Sequence, residues 1–159
     1  MKIRILCVGK VKEKYLRDAI DEYMKRMQKF ADMEILEVSD EKTEERASET
    51  EMESVLSKEG ERLMKFIGDR DFVTALDICG VKVSSEGLAE KIKTTILKGS
   101  STLDFIIGGS LGLSDLIKRR ADFRLSFSDM TFPHQLMRVI LLEQIYRAFK
   151  INNNEPYHK

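Results

Sequence analysis

His134 and Arg138 stand four positions apart, one helical turn, so an imidazole and a guanidinium share one face of an otherwise oily helix. An imidazole with an ordinary pKa near 6.5 can take a proton at neutral pH, and a neighbouring guanidinium can stabilise the anion left behind. Immediately before them runs Phe127, Ser128, Asp129, Met130, Thr131 and Phe132. These residues mix small polar and apolar groups between a strand and a helix, which suits reading a flat ring through backbone N–H and C=O groups. A third stretch, Gly108-Gly109-Ser110-Leu111-Gly112, has three glycines in five residues. That composition permits close backbone approach by a ligand, or simply a tight turn. It lacks the Gly-Lys-Ser/Thr ending of a phosphate-binding P-loop. Its glycine spacing and its place after the fourth strand also disagree with a dinucleotide fingerprint. The end of the chain, Pro156-Tyr157-His158-Lys159, offers an aromatic plane, an imidazole and an ammonium, although a polar tail is expected to fray. With His134 and His158 as its two histidines, the chain shows no metal-ligand spacing. Neither a Ser-His-Asp nor a Cys-His arrangement can be inferred.

The elements that must position these residues alternate. Residues 3–8, 33–38, 71–78, 103–107 and 123–127 read as β-strands from their short apolar runs. Between them, residues 10–30 have helical spacing, with Leu16, Ile20, Tyr23, Met24, Met27 and Phe30 on one stripe. Residues 84–97 form another helix, a polar one opens near Ser114, and a long one runs over 133–150. Residues 39–57 are acidic and polar, and read as a mobile loop leading into a solvated helix. Strict alternation predicts a single α/β domain over residues 1–159, with a mainly parallel sheet flanked by helices. In such sheets ligands sit beyond the carboxyl ends of the strands, which is where the loops at Gly108 and Phe127 fall. The last helix is apolar almost all round, from Leu136 to Phe149. It therefore needs two partners, the sheet and either the same helix of a second copy, which would make a homodimer, or neighbours that leave it wholly internal.

Lys plus Arg and Asp plus Glu each total 27, so bulk charge favours neither a nucleic-acid coat protein nor a membrane-surface protein. A local basic site stays open, and Lys118, Arg119, Arg120 and Arg124 form the best patch for one, or else a solvated helix face. The apolar run at the N-terminus is broken by Arg4 and too short for a signal or membrane segment. Cys7 and Cys79 are expected as two buried reduced thiols, consistent with a cytoplasmic protein without membrane contact.

One combination of residues spans the whole chain in order. It opens with Met1-Lys2-Ile3 to Val8-Gly9-Lys10 and continues through Leu76-Asp77-Ile78-x-Gly80 and Ile106-Ile107-Gly108-Gly109 with Gly112-Leu113. Leu125-Ser126-Phe127-Ser128-x-Met130-Thr131-Phe132-Pro133-His134 follows, then Arg138-Val139-x-Leu141-x-Glu143-Gln144-x-Tyr146-Arg147-Ala148, and finally Pro156-Tyr157-His158-Lys159. This set resembles the RlmH (YbeA-type) family of SPOUT-class ribosomal RNA methyltransferases. The resemblance implies S-adenosylmethionine as methyl donor, no metal, and N3 of a pseudouridine in the 23S rRNA of the assembled ribosome as acceptor. It also implies a SPOUT fold with a C-terminal trefoil knot, and a homodimer. The adenosyl part would be held at Leu76, at Gly108 and Gly109, and along Phe127, Ser128, Asp129, Met130, Thr131 and Phe132, although Asp129 is not itself a fixed part of the pattern. Catalytic and RNA-contacting roles would fall on His134, Arg138, Arg147, Tyr157 and His158, the tail pair reaching the partner's pocket. Three other readings remain. They are a doubly wound nucleotide enzyme using the Gly9-Lys10 turn, a non-catalytic RNA-binding or ribosome-assembly dimer, and a SPOUT methyltransferase with another RNA target.

Overall fold

The computed structural model describes residues 1–157. Its five strands are β1 (Lys2–Val8), β2 (Asp32–Val38), β3 (Phe72–Lys82), β4 (Thr102–Ile107) and β5 (Phe123–Ser126). They form one sheet in the order β2-β1-β4-β3-β5, and every pairing is parallel. The helices are α1 (Lys14–Met27), α2 (Glu49–Met64), α3 (Ser85–Leu97), α4 (Asp115–Arg120) and α5 (His134–Asn152). The predicted α/β architecture is present.

Apolar patterning explains the layers. β1 and β4 lie inside the sheet, and after their first residues are almost wholly buried, as expected of parallel strands covered on both faces. One face packs against α1, α3 and α5 around Ile5, Phe105, Leu141, Leu142 and Ile145. The other packs against α2 and α4 around Leu6, Ile106, Leu63 and Ile117. Burying each such side chain contributes roughly 1.5–3 kcal/mol. Ser48, Ser84 and Ser114 cap α2, α3 and α4 through side-chain bonds to first-turn N–H groups, and Glu51 completes a capping box at α2. At the amino ends of the strands, Arg4 forks onto Asp104 with two bonds of 2.7 Å and reaches Asp71 at 2.6 Å.

Several expectations need correcting. β3 does not close at Cys79 and Gly80; it continues to Lys82, with its register against β5 broken between Leu76 and Val81. Cys7 is buried as expected, but Cys79 is exposed on that extension. Burial pushes the Cys7 thiol up to about 12, so it is not a nucleophile at neutral pH. Pro133 precedes α5 rather than opening it, with ψ 131°. The tail does not simply fray: Asn152 donates to the Ala89 carbonyl at 3.0 Å, and Glu155 is gripped by Lys29 and Lys150. Finally, α5 finds two flanking helices, α1 and α3, within its own chain. Its apolar circumference is therefore largely accounted for inside the protomer. The stripe Leu136, Ile140, Glu143 and Arg147 stays partly open.

Candidate active site

The register break of β3 after Leu76 and the turns that follow β4 and β5 enclose one cavity of about 700 Å³, well inside the range of small-molecule sites. Its wall includes Leu76 and Asp77 from β3, Gly108 to Leu113 after β4, and Phe127, Ser128, Met130, Thr131 and Phe132 after β5. Leu125, His134 and Met137 complete it from β5 and α5. The residue pattern singled out the Gly108 and Phe127 turns and the family resemblance added Leu76, and the fold brings the three together.

The glycine turn is shaped by its own backbone. The Gly112 N–H donates to the Gly109 carbonyl at 3.0 Å, and Gly112 has φ +86°, a conformation natural to glycine. A Cβ on Gly108 would stand 2.2 Å from the Gly112 carbonyl oxygen. The Phe127–Phe132 turn is ordered by short polar bonds: the Ser126 hydroxyl donates to the Ser128 carbonyl at 3.2 Å, and the Met130 N–H donates to Ser128 Oγ at 3.0 Å. Met130 is 75% exposed at the rim. Asp129 is not part of the wall; its carboxylate meets Lys82 outside at 2.5 Å.

Asp77 sits in the wall unforeseen, although it adjoins Leu76 in sequence. Arg124 donates to it at 2.8 and 2.6 Å and the Cys79 N–H at 3.0 Å. Burial by itself would raise its pKa, but the Cys79 N–H, Arg124 and Lys118 outweigh burial and hold the carboxyl below its usual value. This pinning also consumes most of the expected basic patch. Arg124 and Lys118 serve Asp77, and Arg120 serves Asp122 and the carbonyls of Gly68 and Asp71.

His134 lines the cavity and is half-buried. Burial, and then the nearby Arg138 charge, lower its pKa, so the imidazole is neutral at pH 7. A folded-state pKa below the unfolded value means that the fold favours neutral His134. The associated stability is fully present above about pH 6.5 and is lost as pH falls through the lowered value. A proton NMR titration should therefore give His134 a midpoint below that of a free histidine, and a midpoint at or above 6.5 would contradict this environment.

Arg138 stands one turn behind, only 2% exposed. It donates to Glu37 and to the Gly9 carbonyl, each at 2.6 Å, and is not in the cavity wall. Arg147 and Tyr157 lie elsewhere on α5 and the tail. Arg147 reaches Glu143 at 2.7 Å and stacks 4.7 Å from the Tyr157 ring centroid, while the Tyr157 hydroxyl donates to Glu143 at 3.1 Å. Burial and that carboxylate push the Tyr157 phenol up to about 12. Within one protomer, then, Arg147 and Tyr157 are brought to each other and not to the cavity wall. His158 lies outside the described residues.

An apolar cleft walled by the break in β3 and two strand-end turns marks a site for a small organic ligand on a parallel α/β sheet. Comparison with known proteins narrows the class. Residues 1–158 match the family described as "Predicted SPOUT methyltransferase". The ribosomal RNA large subunit methyltransferase H of Bifidobacterium animalis is 62% identical over the full length of both chains, and that of Bifidobacterium adolescentis 60%. A solved structure from Haemophilus influenzae, titled a "probable methylase family protein", superposes with a TM-score of 0.54 at 12% identity. That superposition covers 96% of this chain and 66% of the other, so it bears on the fold alone. The chain belongs to the SPOUT methyltransferases and, within them, to the ribosomal RNA large subunit methyltransferase H family.

Proposed function

We propose that this protein transfers a methyl group from S-adenosylmethionine to N3 of a pseudouridine in the 23S rRNA of the assembled ribosome, acting in the cytoplasm as a homodimer. The observation that carries this reading is the single cavity formed by the Leu76, Gly108 and Phe127–Phe132 turns with a neutral imidazole at its edge. The wall suits the donor: backbone N–H and C=O groups can read an adenine edge, and Leu76, Leu125 and Phe127 can cover its faces. Bound there, S-adenosylmethionine would supply an electrophilic methyl on a sulfonium that carries its own leaving group. What remains for the chain is to position the acceptor and remove its N3 proton.

Neutral His134 can accept a proton, and His158 of the tail is the second imidazole able to do so. Arg138, committed to Glu37 and Gly9, acts by fixing the turn and the histidine. Arg147 and Tyr157 are left to hold and stack the acceptor. In the proposed dimer, the open stripe of Leu136, Ile140, Glu143 and Arg147 is the seat for a second copy, which brings each tail towards the partner's cavity. The trefoil knot implied by the family belongs to the same proposal.

Single-turnover transfer of labelled methyl to ribosomes lacking the modification, with mapping of the modified nucleotide, tests the reaction. The His134→Ala or His158→Ala variant should lose about 100-fold or more in rate. If His134 is the base, the wild-type rate should fall as pH drops through its lowered pKa. Unchanged rates in both variants would remove the imidazoles from the proton transfer. Calorimetry with the donor, its demethylated product, ATP and NAD separates this reading from a nucleotide enzyme or a non-catalytic dimer.

A further inference from the structure

In the patch of Lys118, Arg119, Arg120 and Arg124, Lys118 and Arg124 share Asp77 and Arg120 pairs with Asp122, which leaves Arg119 as its exposed cation without a carboxylate partner among the described residues, and with no net charge overall the chain has little long-range attraction for RNA. A different group of cations is unspent. The turn between β1 and α1 carries Lys10 and Lys12, both exposed, and neither has a carboxylate partner among the described residues. Arg17 folds back onto this turn and donates to the Val11 and Lys12 carbonyls, so its charge is held there without being neutralised. Lys14 pairs with Asp18, but both side chains are largely exposed, 80% and 59%, so the pair screens little. Beside them Tyr15 is 69% exposed, an aromatic face of the kind on which unpaired bases stack.

The turn is also held in place. Gly9 adopts φ +83°, its N–H donates to the Val38 carbonyl at 2.8 Å, and its carbonyl accepts from Arg138. Val11 packs inward against the core, which leaves Lys10 and Lys12 facing out on either side of it. A Cβ on Gly9 would lie 4.0 Å from His134 Nε2, so the cations begin one residue from the imidazole at the cavity edge.

We propose that the β1–α1 turn, through Lys10, Lys12 and Arg17 with Tyr15 beside them, is the contact surface for the phosphate backbone of the substrate RNA next to His134. The inference rests on the reading of an RNA substrate given above. Phosphate is favoured over a protein partner because the exposed groups are mostly cations around one aromatic, with Glu13 and the Lys14-paired Asp18 as the carboxylates among them, on a rigid turn, without the apolar patch that a protein interface would centre on.

The test compares wild type, Lys10→Ala/Lys12→Ala, and a control pair at the opposite end of the sheet, Lys93→Ala/Lys98→Ala. Binding to unmodified ribosomes is followed by sedimentation across a salt series, and the KM for ribosomes and the affinity for S-adenosylmethionine are measured alongside. Loss of two phosphate contacts should flatten the slope of log K against log salt by roughly 1.4–1.8, since each contributes about 0.7–0.9. The KM for ribosomes should rise about tenfold, with kcat within twofold and donor affinity unchanged. The control pair should match wild type. A slope equal to the control's would overturn the proposal, and so would weaker binding with an unchanged slope, which would indicate a protein contact. Wild type that binds ribosomes but transfers no methyl would defeat the enzymatic reading, while the salt slopes would still decide the surface.

Discussion

Gly108→Ala should weaken S-adenosylmethionine binding by at least thirtyfold, about 2 kcal/mol, while leaving the rest of the fold in place. The added methyl would sit 2.2 Å from the Gly112 carbonyl oxygen and 2.5 Å from its carbon. Both are backbone atoms, so no rotamer change can relieve the clash, and the turn must open. Opening it breaks the Gly112 N–H bond to the Gly109 carbonyl and moves the cavity wall between β4 and α4. The residues before and after the turn, Ile107 and Leu113, are anchored in the two cores, so the damage stays local. Calorimetry against the donor, paired with a thermal melt, checks this. A variant that binds as wild type does would show that the pinched turn is not part of the donor site.

Arg138→Met should cost about 3 kcal/mol of stability, seen as a fall of roughly 6–12 °C in Tm. Its guanidinium is almost wholly buried and holds the Gly9 carbonyl and Glu37. Methionine fills the volume but strands that carbonyl away from water. Glu37 is 36% exposed and can regain solvent, which keeps the loss below that of a fully buried pair. A second readout separates lost packing from lost charge. After burial, Arg138 is the charge that lowers the His134 pKa, against a smaller opposing effect of Asp40, so its removal should move the His134 titration midpoint upward. A melt within 1 kcal/mol of wild type, or a midpoint that does not move, would contradict the role assigned to Arg138.

The parts of this molecule that were readable from sequence depend on neighbours within a few residues. Helical stripes and the turns after β4 and β5 are local patterns, and the alternation of elements then constrains the sheet. What was misread depends on distant partners. Arg138 looked like half of a catalytic pair because Glu37, which engages it, lies 101 positions away. Lys118 and Arg124 looked like a free basic patch because nothing local shows that Asp77 meets both. The extension of β3 beyond Gly80 depends on β5 resuming its pairing at Val81 and Lys82. Asn152 and Glu155, polar residues in a tail, gave no sign that Ala89, Lys29 and Lys150 would hold them. At the cavity, the turns were legible but their mutual arrangement was not, because it follows from a strand order that places β4 between β1 and β3.

Synthesis runs from β1 towards α5, and that order matters here. Leu141, Leu142, Ile145, Ala148 and Phe149 cover one face of the sheet, yet they are made after every strand beneath them. Until those codons are read and the segment has cleared the exit tunnel, the nascent chain presents a long apolar surface to solvent. All strand pairings are parallel and so need distant segments to meet, which slows closure. Chains released early, before α5, would be natural clients of chaperones and proteases.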